Sequence, residues 1–322
     1  MRSSALLILA PKTDLSRAHN PTDWLLCVHG IVRSAVLSRL CVVMTSTSTY
    51  NTQAPAPPRV LPPRSFLHMS ARIISIANQK GGVGKTATTT NLGASLSEMG
   101  HRVLVVDMDP QGNLSSSLHS SNGTRSTVAD ALLDRKLPLP IVPVYERDNS
   151  GFDLVPTSVA LASAEAALAN KLGREFRLRD QLNTVADRYE FILIDTPPSL
   201  GLLTINSLVA AQLVLIPTEA RYFSLQGLQM LQESIDEILY INPNLRILGI
   251  VLSKFDRRLR EEQTVAAYLR ENWGDLVFET SVGTNSKILE AASAGVPLVE
   301  LSGAQRAVET YRSLAREVLT RV

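Results

Sequence analysis

Short, continuously apolar runs alternate along this chain with longer stretches whose apolar residues recur every three or four positions. The runs are Arg72–Asn78, Arg102–Asp107, Phe152–Val155, Phe191–Asp195, Leu213–Pro217, Ile247–Leu252 and Leu276–Glu279. Rich in Val, Ile and Leu, they predict buried strands. Helical spacing predicts helices over 85–99, 127–133, 202–211, 224–241, 260–272, 286–294 and 304–320. A further helical stretch covers 158–185 with a break at Gly173, and residues 138–151, with several Pro and Gly, read as surface loop. Strands without a polar face, alternating with helices, imply a mostly parallel, twisted sheet covered on both sides: an α/β fold. No internal repeat is visible.

Between the first strand and the first helix lies Gln79-Lys80-Gly81-Gly82-Val83-Gly84-Lys85-Thr86, with Ala87 following. A strand, a glycine-rich turn and a helix N-terminus together make an anion site. Backbone N–H groups and the positive end of the helix dipole converge on a phosphate that side chains would only obstruct. Lys85 supplies a charge for the β- and γ-phosphates, and Thr86 a hydroxyl for Mg²⁺. The run departs from the usual G-x-x-x-x-G-K-[ST] pattern in two ways: Gln79 stands at the first glycine, and a second lysine, Lys80, precedes the glycine pair. Taken alone, Lys80 is either a solvated surface lysine or a second phosphate ligand.

Aspartates close two strands. Asp195 ends Phe191-Ile192-Leu193-Ile194 and leads into Thr196-Pro197-Pro198-Ser199. It reads as the acid that holds Mg²⁺ behind a P-loop, or as a cap for the next turn. Asp107 and Asp109 are one residue apart, so a continued strand would point both to one side of its pleat. A carboxylate there can orient a water for in-line attack on the γ-phosphate, or can cap a loop.

These motifs together resemble the ParA/Soj/MinD group of partition and positioning ATPases. Lys80 to Thr86 is similar to their deviant Walker A loop, K-G-G-x-G-K-[ST]. Asp107-Met108-Asp109-Pro110-Gln111-Gly112-Asn113 is similar to the second ParA/Soj signature, and Asp195-Thr196-Pro197-Pro198-Ser199-Leu200-Gly201 to the switch region. The likeness continues through Leu203-Thr204-Ile205-Asn206 and Glu290-Ala291-Ala292-Ser293-Ala294-Gly295 to Glu309 and Tyr311, covering about residues 70–320. It implies a P-loop NTPase-like fold that binds ATP and Mg²⁺ in an ATP-dependent homodimer. By position, Gly81, Gly82, Val83, Gly84, Lys85, Thr86 and Ala87 bind nucleotide; Thr86, Asp107 and Asp195 serve the metal; Lys80, Lys85 and Asp109 are catalytic. Lys80 would reach the partner's nucleotide, and Asp109 would place the water. Two departures stand out: Ala87 replaces a second Thr, and Gly283-Thr284 stands where many relatives carry Pro-Arg.

The likeness also implies non-specific DNA binding through Arg258 and Lys287, with Arg257 and Arg306 nearby, and a ParB-type partner that accelerates hydrolysis. The expected location is cytoplasmic and nucleoid-associated, without stable membrane attachment. The last helix gathers Tyr311, Leu314, Ala315, Val318, Leu319 and Val322 on one face. That face is either core or the amphipathic tail of a MinD-like membrane-associated positioning ATPase.

Composition bears on these alternatives. The 322-residue chain is 45% hydrophobic, 19% charged and carries a net +2. Residues 1–68 hold seven Lys/Arg against two acids, or +5, leaving 25 basic and 28 acidic residues, or −3, for the rest. Any contact with DNA must therefore come from a local patch. Both cysteines, Cys27 and Cys41, fall in the first 68 residues, so the remainder offers no thiolates for an iron–sulfur cluster or zinc. Arg33 and Arg39 interrupt the longest apolar stretch near the start, at roughly 2.5–3.5 kcal/mol each in a membrane centre. Residues 45–65 are Ser/Thr- and then Pro-rich. The expected organisation is a low-complexity extension over 1–68, an over-called start with Met69 or Met44 the true one, before a single ATPase domain over 69–322.

Overall fold

In the computed structural model, the described residues are 71–118, 126–147 and 150–322; the expectation for residues 1–68 lies outside them. Seven strands form one sheet in the order β3-β4-β2-β5-β1-β6-β7. They are β1 Arg72–Ile76, β2 Val103–Asp107, β3 Val142–Arg147, β4 Ser150–Val155, β5 Phe191–Asp195, β6 Leu213–Glu219 and β7 Arg246–Ser253. Every pairing is parallel except β3 with β4. The α-helices are α1 Lys85–Glu98, α2 Asn113–Ser116, α3 Val128–Leu133, α4 Ala160–Leu168, α5 Arg177–Leu182, α6 Leu202–Ala210, α7 Tyr222–Ile238, α8 Arg260–Trp273, α9 Ser286–Ala294 and α10 Gln305–Arg321.

The two-residue period of the strands sorts the core into two layers. Ile73, Leu104, Val106, Ile192, Ile194, Val214, Ile216, Ile250 and Leu252 face one way, onto residues of α3 to α8. Ile74, Ile76, Val103, Val105, Leu193, Leu215 and Val251 face the other way, onto Leu92 and Leu96 of α1 and Tyr311, Leu314 and Val318 of α10. A sheet buried on both faces is what unbroken apolar strands require. Burying α10's stripe against α1 decides between the two readings of that helix: Tyr311, Leu314, Ala315 and Val318 are at most 2% exposed, so its main apolar face is core.

Two expectations are corrected. Residues 138–151 are not all loop, because Val142–Arg147 forms the antiparallel edge strand β3. Pro143 hid it, yet an edge position tolerates a residue without an N–H. Leu276–Glu279 is not a strand but a 3₁₀ turn over Gly274–Leu276, followed by isolated bridges Ile250–Val277 and Ser253–Val282. The predicted break at Gly173 is present, with φ +64 between α4 and the turn that leads to α5.

Parallel register fixes the site. Ile76 lies opposite Asp195, Asp195 opposite Asp107, and Glu219 opposite Ser253. The C-terminal ends of β1, β2, β5 and β6 thus meet on one edge, where a doubly wound sheet places its ligands.

Candidate nucleotide site

The glycine-rich turn leaves β1 and folds directly into α1. Gly82 and Gly84 adopt φ +74 and +85, a left-handed backbone that side chains disfavour. Gly84 is the N-cap of α1 and supplies no side-chain cap, and the first turn of α1 holds no acidic residue. The leading N–H groups of α1 are thus left for an external anion. Val83 is fully buried and anchors the turn from below.

Asn78 bolts the turn to the next strand: its Nδ2 donates to Pro217 O at 2.8 Å, and its Oδ1 accepts from Lys80 N at 2.9 Å. Lys85 is only 7% exposed, and its Nζ donates to two backbone carbonyls, Asn78 O at 3.0 Å and Lys80 O at 3.3 Å. Burial lowers its pKa, opposed by the charges of Asp195 and Asp109. An ammonium without a paired carboxylate, folded back over a phosphate-sized turn, fits a polyphosphate.

Thr86 Oγ1 donates to Asp195 Oδ2 at 2.7 Å, and Thr89 Oγ1 to Asp195 Oδ1 at 3.3 Å. Asp195 is fully buried; burial, and then the neighbouring Asp107, push its pKa up to about 8. A buried carboxyl beside a threonine hydroxyl is an oxygen donor set that fits a hard divalent cation, whose charge would favour the ionised carboxylate. No group of three or more His, Cys, Asp or Glu side chains with metal-binding geometry occurs among the described residues. A P-loop needs none, since phosphate oxygens and water complete the shell.

Asp107 and Asp109 part company. β2 ends at Asp107, so a turn, not the pleat, aims Asp109. Asp107 Oδ2 accepts from Ser115 N at 2.8 Å and Ser115 Oγ at 2.7 Å, and its Oδ1 from Asp109 N at 3.1 Å. Burial raises its pKa to about 6 against those donors. In this state its oxygens tie β2 to α2. Asp109, 7% exposed, accepts from Gln111 N at 2.9 Å through Oδ1. Ala87, in the first turn of α1, gives its carbonyl to Asn91 Nδ2 at 2.8 Å.

Lys80 turns outward, with 39% of its side chain exposed, and its Nζ donates to Glu219 Oε2 at the end of β6. Lys254 Nζ lies 3.5 Å from Glu219 Oε1 and Arg221 Nε 3.9 Å from Oε2. Glu219, Lys254 and Asn78 escaped the sequence reading. Asn78 lies next to the motif, but Glu219 and Lys254 are at strand ends that only sheet order brings to it.

Three of the four basic candidates, Arg257, Arg258 and Arg306, line one cavity of about 640 Å³ together with Thr284 and Asn285. Arg258 clamps Asp256 through Nε at 2.9 Å and Nη2 at 2.7 Å, and its hydrogen bonds hold that carboxyl at about 2. Arg257 Nη2 donates to Ser281 Oγ at 3.2 Å. Lys287 is not among that lining; its amine pairs with Glu290 on α9, while Asn285 Oδ1 caps the helix by accepting from Lys287 N at 2.9 Å.

Residues 71–247 match the sequence profile of an AAA domain. Chromosome partitioning protein ParA of Myxococcus xanthus is 43% identical over 253 residues, spanning 78% of this chain and 88% of that protein. The chain belongs to the ParA/Soj family. Sporulation initiation inhibitor protein Soj of Bacillus subtilis is 39% identical across 77% of this chain and 98% of Soj. Among solved structures, cobyrinic acid a,c-diamide synthase from Mycobacterium smegmatis with bound ADP and magnesium superposes with a TM-score of 0.66. It is 31% identical, covering 77% of this chain and 94% of that one. The fold is thus the P-loop ATPase fold of ParA/Soj proteins; among its structural neighbours, that synthase holds ADP and magnesium, and a Cyanothece McdA variant is in complex with ATP. No helix among the described residues is long and apolar enough to cross a membrane.

Proposed function

We propose that this ParA/Soj member is an Mg²⁺-ATP-dependent, dimerising ATPase that binds DNA without sequence preference and segregates a chromosome or plasmid with a ParB-type partner. The observation that carries the reading is the outward Lys80 amine on a loop whose other amine, Lys85, is buried beneath the turn. One loop then serves two active sites. Lys85, the α1 N-terminus and the backbone of Gly81 to Ala87 cradle the chain's own triphosphate. Lys80 crosses to the partner's.

Thr86 and Asp195 would hold Mg²⁺, with Asp107 fixing the acid cluster behind them. The ion, when bound, neutralises charge on the β- and γ-phosphate oxygens. Asp109 orients the water for in-line attack, and Lys80 stabilises charge that builds on the transferred group. Because Lys80 arrives only with the second protomer, hydrolysis is slow in the monomer, and the ParB-type partner accelerates it in the dimer.

The closed dimer meets DNA through Arg257, Arg258, Lys287 and Arg306, phosphate contacts that carry no sequence information. In this reading the protein works in the cytoplasm on the nucleoid, without stable membrane association. A MinD-like role would draw on the apolar face of α10, and burial of Tyr311, Leu314 and Val318 speaks against it. The ATPase domain in this reading begins at Met69. Sedimentation with DNA in the presence of ATP, ADP or no nucleotide tests the function. Pelleting with ATP alone is expected, and equal pelleting in all three would reject the switch.

A further inference from the structure

Glu219 stands where three cations converge. It closes β6, one strand from β1, and its side chain is only 13% exposed. Lys80 reaches it from the phosphate loop, Lys254 from just past the end of β7, and Arg221 from the turn after β6. The scaffold beneath is rigid. Asn78 ties the loop to Pro217, and the Lys80 carbonyl accepts from Lys85 Nζ. The Lys80 backbone is thus tied at its N–H and its carbonyl, while its side chain, 39% exposed, extends beyond them to Glu219.

Building on the proposed exchange of Lys80 between protomers, we infer that Glu219 is a positioning residue that latches Lys80 onto its own subunit. While the amine sits on Glu219 it is neutralised in cis and cannot serve a neighbouring triphosphate. Dimerisation therefore requires Lys80 to leave one carboxylate for a polyphosphate carrying more negative charge. Stripping a shielded carboxylate of its partner normally costs heavily. Here the cost is low, because Lys254 stays 3.5 Å from Oε1 and Arg221 3.9 Å from Oε2. Lys254 is built for this place: it holds a left-handed φ of +52, and its amine also lies beside Gly82 of the phosphate loop. The latch thus has a resident counter-ion, Lys254, and an exchangeable one, Lys80.

The two cations act in opposite directions, which makes the idea testable without relying on one variant. Full-length protein with Mg²⁺ and saturating AMPPNP is followed by sedimentation velocity across a protein concentration series. Glu219→Gln, which keeps shape but removes charge, should move the dimerisation midpoint roughly fivefold to lower concentration, the scale expected for a partly shielded ion pair released in each protomer. Lys254→Met should move it the other way, since departure of Lys80 would then leave Glu219 with Arg221 alone. Lys80→Ala should abolish dimerisation, and adding Glu219→Gln to it should change nothing. A weaker or unaltered dimer in Glu219→Gln overturns the latch while leaving Lys80 exchange intact. A Lys80→Ala protein that dimerises like the parent overturns exchange itself, and the latch with it. Should Glu219→Gln fail to fold, the Lys254→Met shift still decides: a dimer no weaker than the parent rejects the latch.

Discussion

Thr86 Oγ1 donates to Asp195 Oδ2 at 2.7 Å, so the first turn of the phosphate-loop helix is fastened to the end of a strand 109 residues away. Both oxygens belong to the pair of residues that would hold a divalent cation. Asp195→Asn should therefore lower Mg²⁺-dependent ATP affinity by roughly 10- to 100-fold, with Thr86→Ala falling in the same direction. Calorimetric titration of ATP with and without Mg²⁺ measures it. Equal loss in both conditions would mean that Asp195 acts on the loop and not on the ion.

Asp195 and its neighbour Asp107 set a pH dependence. Burial raises Asp195 to about 8 and Asp107 to about 6, above the ordinary carboxylate value near 4. Between these values the folded protein holds protons that the unfolded chain releases. Their contribution to stability is complete below about pH 4 and is lost as pH climbs through 6 and then 8. The nucleotide-free protein should lose melting temperature from pH 5 to 8.5, and Asp195→Asn should flatten the upper part of that slope. A flat profile in the unaltered protein would contradict the raised values.

Asp109 is freed from the strand geometry that binds Asp107, with its Oδ1 held by Gln111 N at 2.9 Å. Asp109→Ala should cut single-turnover phosphate release by about 10²- to 10⁴-fold, the usual range for a lost water-positioning group, while ATP-driven dimerisation persists. Loss of both together would make Asp109 a structural residue.

Arg258 is 89% exposed at its side chain and, among the described residues, is paired with Asp256 two residues away. Arg258→Glu should remove DNA binding at low salt and leave ATP-driven dimerisation unchanged. Binding by the parent protein should fall steeply as salt rises, because each neutralised phosphate releases counterions. Unchanged affinity in the variant would clear this arginine of the role.

Gly249 lies in β7 where a Cβ would stand 2.4 Å from Phe278 Cε2 and 2.6 Å from Leu276 O. Arg321 stacks on the same Phe278 ring at 3.8 Å. Gly249→Ala should cost about 1–3 kcal/mol through overpacking, lowering the melting temperature by roughly 2–4 °C per kcal/mol. Circular dichroism melts read it directly. An unshifted melt would show that Phe278 and the end of α10 yield without cost.

Much of this protein was legible in one dimension. Unbroken apolar strands can only be buried on both faces, so the parallel sheet follows from Ile73-Ile74, Val103 to Val106 and Phe191 to Ile194 alone. The phosphate loop is local too: Gly82 and Gly84 supply the left-handed turns, and Lys85 and Thr86 lie within reach of whatever it holds. What escaped depended on partners distant in sequence. An edge position rescued Pro143 as a strand residue, and the end of β2 at Asp107 redirected Asp109 away from Asp107's pleat.

Tertiary structure alone decided which charges meet. Nothing in the order of residues says that β1 lies between β5 and β6, yet that order sets Asp195 beside Thr86 and Glu219 beside Lys80. The sequence by itself determined the sheet and the phosphate turn, because burial periodicity and glycine geometry are properties of neighbouring residues. The disposition of Lys80 required the fold, because an ion pair spanning 139 residues exists only once the strands have found their register.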